Sequence, residues 1–182
     1  MIDTYAEQMI VKEPSNSDRT KKNLLMIGSI LLSAVILWLS VNFIALMPVG
    51  VLLVIGLIYG ANYLSSNFYV EYEYMITNGE MDIDKVVGKK KRSNLISMQV
   101  KDFEKFGKLS EAEPESDDTT LVVAYDGDDE NAYYAEFSHE TYGAVRLIFS
   151  PDENILENIK MYLSGKCRMT SGISLQKDST TE

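Results

Sequence analysis

The sequence predicts an α+β protein: a transmembrane helical hairpin followed by a small antiparallel β-barrel or sandwich with a C-terminal capping helix. Three observations carry that reading. No charged residue lies between Lys22 and Glu71, and that stretch holds two long apolar runs hinged at Leu46-Met47-Pro48-Val49-Gly50. From Val70 onward, short runs alternate between apolar and polar residues and are separated by turn formers. A last apolar stripe, at helical spacing, follows Ser150-Pro151-Asp152-Glu153.

The first segment, residues 1–22, is a balanced arm with four acids and four bases. Ile2, Tyr5, Ala6, Met9 and Ile10 fall on one face at helical spacing, which predicts a short amphipathic helix ended by Pro14. Residues 23–65 form the hairpin. Its first run, residues 24–45, would extend roughly 33 Å as a helix at ~1.5 Å per residue, and its second, residues 47–64, roughly 27 Å. Each is long enough to cross a bilayer core of about 30 Å with modest adjustment. A helix is the expected form there, because hydrocarbon offers exposed peptide groups no partner. The first run is too long for a signal peptide, lacks a convincing small-residue cleavage site, and is followed at once by another span. Arg19, Lys21 and Lys22 precede it while the hairpin tip is uncharged, which predicts a multi-pass cell-membrane protein with both termini cytoplasmic. Asn42 and Asn62 are the only amides within the spans, and no ionisable side chain is present to build an ion path. Gly56 and Gly60 make a GxxxG, and Ser29 with Ser33 offers a matching strip on the first helix. Such strips let backbones approach closely, so these four are candidate helix-packing residues, within one hairpin or in a homo-oligomer.

The body is expected over residues 69–163. Val70, Tyr72, Tyr74 and Ile76 alternate with polar neighbours, Asn78-Gly79 supplies a pair that tolerates positive φ, and Met81 and Ile83 alternate again. Further strands are expected over residues 95–103, 121–125, 132–137 and 144–149. In the closing helix, Ser150 is placed to cap, Pro151 to start, and Glu153 to complete a capping box, with Ile155, Leu156, Ile159, Tyr162 and Leu163 on one face. Residues 164–182 read as a disordered polar tail.

The chemistry of the chain excludes more than it assigns. A formal net charge of −10 argues against nucleic acid as a partner, since that binding depends on cations that neutralise phosphate. One cysteine, Cys167, and one histidine, His139, furnish neither a disulfide framework nor a metal set, and Ser138 beside His139 points to the opposite strand face. Residues 126–130, Asp-Gly-Asp-Asp-Glu, lack the ligand spacing of a calcium loop. No catalytic, cofactor-binding or metal residues are named, and no enzyme is expected. Lys89, Lys90, Lys91 and Arg92 are the exception in an acidic body, and they are the candidate contact with anionic lipid headgroups at the bilayer surface.

The order of two spans, then residues 72–83, the glycine and basic run at 88–92, and Leu95-Ile96-Ser97, resembles hairpin-anchored bacterial pleckstrin-homology-like membrane proteins. More narrowly, Glu7-Gln8, Val100-Lys101-Asp102-Phe103 and Ser150-Pro151-Asp152-Glu153 resemble a bacterial two-span family carrying only a domain-of-unknown-function label. The resemblance covers roughly residues 1–163 and implies a PH-like body without catalytic residues to carry over. The expected role is a membrane-anchored interaction module that meets a protein partner or the lipid surface. The alternative is an accessory subunit joined to a larger complex through its hairpin.

Overall fold

The computed structural model describes residues 4–165 and 167–169. In chain order it contains β1 (Tyr5–Val11), α1 (Asn16–Asn42), a 3₁₀ turn (Ile44–Leu46), α2 (Met47–Ser66), β2 (Val70–Thr77), β3 (Glu80–Val87) and β4 (Lys91–Gln99). There follow β5 (Phe103–Lys108), β6 (Thr120–Ala124), β7 (Tyr133–His139), β8 (Gly143–Phe149), α3 (Glu153–Tyr162) and β9 (Arg168–Met169). Two compact units result, one made of the chain up to Lys12, Glu71–Lys85 and the chain from Ser93, the other of Glu13–Val70 with Val86–Arg92.

The second unit is the helical hairpin with one attached turn. Both helices are long and apolar enough to cross a membrane, and in their most apolar windows 17% and 11% of residues are buried. A core helix of a water-soluble domain would bury that face, so the exposure argues for lipid as the surroundings. Pro48 stands in the first turn of α2, where its missing N–H costs nothing. The buried positions are all small: Ser33 and Ser40 on α1, Gly50, Ala61 and Ser65 on α2. At the tip, a side chain on Gly50 would collide with Ser40, so glycine there permits a close approach of the two helices.

The first unit is a body of two sheets, in the order β1-β2-β3-β4 and β6-β8-β7-β5-β9. The expected arm helix is not formed: Tyr5–Val11 is a strand, antiparallel to β2 from Tyr5 opposite Thr77 to Val11 opposite Glu71. The free edge of β2 offers a full ladder of backbone bonds, which a short isolated helix lacks the length to match. The sheets do not close into a barrel. Nor are they wholly antiparallel: β8 returns from β7 to lie between it and β6, and so runs parallel to β6. Tyr74, Ile76, Met81 and Ile83 from one sheet and Phe106, Leu147 and Phe149 from the other are fully buried, together with Ile155 and Ile159 of α3, which packs on β1. Tyr74 joins the sheets twice. Its ring meets Phe149 edge-on at 5.9 Å. Its hydroxyl donates to the Ala124 carbonyl and accepts from the Ser150 N–H at 3.2 Å, and burial pushes its pKa up.

Because Ser150 is still engaged with the sheets, it does not cap α3. Asp152 does, accepting from the Ile155 N–H at 2.8 Å, while the Ser150 hydroxyl donates to Asp126 at 3.0 Å. The polar tail lies mostly outside the described residues, as does Ile2; where it is described it is partly ordered, Arg168–Met169 pairing in parallel with β5.

Candidate membrane-surface site

The basic turn is built by strand length. β2 and β3 are equal arms of eight residues around Asn78 and Gly79, whose φ values of 51° and 84° give the tight turn that suits a right-twisted hairpin. Counting back along equal arms puts Gly88 opposite Tyr69, and the Gly88 N–H donates to the Tyr69 carbonyl at 2.7 Å. Gly88 and Lys89 both hold positive φ, 63° and 58°, turning the chain into β4. A Cβ on Gly88 would come within 3.0 Å of the Ser66 carbonyl oxygen, so this position needs glycine for its backbone angle and for its neighbour.

The turn is thereby laid on the C-terminal end of α2. Lys90 holds its ammonium 4.6 Å from the centre of the Tyr63 ring, and Lys89 stands 4.9 Å from that of Tyr69. Exposed contacts of this kind contribute about 0.5–1 kcal/mol each, enough to bias two flexible side chains toward the helix end. Tyr63 lies within the last turn of α2, which ends at Ser66, so the ammonium groups stand level with the end of the apolar rod. Lys89, Lys90, Lys91 and Arg92 are all exposed. The sequence showed the charge run and the aromatic cluster separately; equal strand lengths, countable from the Asn-Gly pair, are the signal that joins them.

The four candidate packing residues separate. Ser33 is buried, whereas Gly28, Ser29, Gly56 and Gly60 line an open groove along the two helices, and a Cβ on either Gly56 or Gly60 would meet nothing within 4 Å.

Elsewhere, the polar groups that the sequence singles out are engaged with their neighbours. His139 accepts the Thr141 N–H on Nδ1 at 3.1 Å and stacks on Tyr142. In the acidic turn, Asp126 accepts from the Asp128 N–H, and Asp128 from the Glu130 N–H and the Asn131 amide. No group of three or more metal-ligating side chains occurs among the described residues. On the second sheet, Arg146 is nearly buried. Its Nε donates to Glu136 at 2.9 Å, and its guanidinium lies 3.7 Å from Glu115 and over the Tyr134 ring. Lys105 joins Glu136, at 3.1 Å, to Glu113, at 2.7 Å, tying the acidic loop before β6 to the sheet.

A family model described as bacterial PH-like domain (DUF6106) matches residues 2–169, which takes in both sheets, the helical hairpin and α3. The chain belongs to this family. No curated protein and no solved structure matches it significantly. PH-like membership together with two apolar helices makes this a membrane-associated PH-like protein, and PH-like domains are generally non-enzymatic.

Proposed function

We propose that this PH-like protein is a membrane-anchored interaction module without enzymatic activity, its body and both chain ends on the cytoplasmic face, its basic turn against the anionic leaflet. The observation that carries the reading is the docking of Lys89 and Lys90 on tyrosines at the end of α2. On this reading it would hold positive charge at the depth where headgroups begin, in a chain whose net charge is −10 and whose body would otherwise be repelled. The uncharged hairpin tip and the Arg19, Lys21 and Lys22 cluster support the orientation. So held, the body is free to meet a protein partner with its remaining surface.

The full chain in nanodiscs tests this. Amide exchange across residues 86–92 slows when phosphatidylglycerol replaces phosphatidylcholine, and the difference disappears when all four basic residues are changed to Gln. At about 1 kcal/mol per charge near the leaflet, the effect is well within reach of the measurement. Identical exchange in the two lipids would remove the leaflet contact. The protein partner is tested by exchanging the hairpin for an unrelated one and capturing associated proteins from membranes: a partner of the body is retained, whereas loss on exchange favours an accessory subunit joined through its spans.

A further inference from the structure

An open groove of about 670 Å³ runs along the two helices, floored by Gly28 of α1 and by Gly56 and Gly60 of α2. Ser29 in its wall donates its hydroxyl to the Met26 carbonyl at 2.8 Å, so the wall keeps no free donor to attract a polar group. Lys21 is the only charged residue that lines it, at the end away from the hairpin tip. Along α1 the lining runs from Lys21 to Leu32, roughly 16 Å at ~1.5 Å per residue. A bilayer core is about 30 Å thick, so the groove is one leaflet deep.

We propose that the groove seats one anionic phospholipid, its phosphate on Lys21 and an acyl chain over Gly28, Gly56 and Gly60. A surface depression within hydrocarbon is filled by whatever borders it, and the depth, the apolar floor and the single cation at the mouth match one lipid of that leaflet. A second copy fits less well. Symmetric pairing through the same face brings Lys21 against its own counterpart, and the groove stops halfway where a helix seam would continue. The proposal rests on α1 and α2 being spans, but not on the basic turn.

The test uses the full chain, extracted from phosphatidylglycerol-containing membranes, washed through detergent and weighed by native mass spectrometry. One phosphatidylglycerol stays bound per chain. Lys21→Gln weakens its retention roughly fivefold and removes the preference over phosphatidylcholine. Gly56→Leu with Gly60→Leu, which fills open space, abolishes retention, whereas changing residues 89–92 to Gln leaves it intact. Equal retention in all variants, no retained lipid, or a lipid-free dimer that the leucines split overturns the proposal. A chain recovered in the aqueous fraction without detergent sinks the span reading instead, and the two failures are distinct.

Discussion

At Gly79 the backbone holds φ at 84°, and a Cβ there would lie 2.6 Å from the Tyr162 ring, which covers the β2–β3 turn. Thr4 clamps the same turn, its carbonyl accepting the Asn78 N–H at 3.0 Å. Gly79→Ala should therefore cost about 1–3 kcal/mol, lowering the thermal midpoint by circular dichroism, and less so in a Tyr162→Ala background where the clash is gone. An unchanged midpoint would contradict this account of the turn. Arg146 gives a second prediction. Burial acts to raise the Glu136 pKa, but hydrogen bonds from Arg146 and Lys105 outweigh it and hold the carboxyl below its ordinary value. A depressed folded value means that Glu136 stabilises the fold above the ordinary carboxylate range, an effect that fades as pH falls through the folded value. Arg146→Met should cost about 3 kcal/mol at neutral pH by leaving Glu136 with less compensation. The gap from wild type should narrow below pH 4.5, the ordinary value for this carboxyl. A pH-independent gap would assign the loss to packing alone.

Among the elements, those whose signal is local were legible in the sequence. The charge-free stretch marks both helices, although α1 begins ahead of it, at Asn16, and takes in Asp18, Arg19, Lys21 and Lys22, and Asn78-Gly79 marks the β2–β3 hairpin at its place. β1 was not legible because Tyr5, Ala6, Met9 and Ile10 fit a helical stripe, whereas the strand face that Ala6 and Ile10 share also carries the polar Gln8 and so shows no clean alternation. What decides between helix and strand is the edge of β2, from 60 residues away in the chain between Val11 and Glu71 to 72 between Tyr5 and Thr77, and adjacent in space. The α3 cap sits two residues later than the sequence pattern suggests, since Ser150 has a competing tie to Tyr74 and Asp126 that no local rule contains. The charge of the basic turn was legible directly, whereas its platform is reached only by counting equal arms back from Asn78-Gly79, a count that holds because the β2–β3 hairpin keeps its register. The groove depends on how two helices are rotated about their axes, which a glycine spacing alone does not fix.

For the molecule as a whole, the insertion of the hairpin between two neighbouring strands is the governing fact. Val11 pairs with Glu71, so the segment entering the helices and the segment leaving them are attached side by side. Replacing residues 12–70 with Asn-Gly should close β1 on β2 directly, since a two-residue turn suits a paired end. The product should be water-soluble, with intact β-signal by circular dichroism and a monomeric elution volume. Starting the chain instead at residue 69 removes β1, strips β2 of its neighbour, and should aggregate through the bared edge. Equal behaviour of the two forms would show that β1 is dispensable.

That arrangement also sets a schedule for biogenesis. β1 leaves the ribosome before the two helices and has no partner to zip with until β2 has followed them out. Completion of the sheet thus waits on synthesis of the whole helical hairpin, and a nascent chain cut short before β2 displays an unfinished edge for quality-control proteases to find.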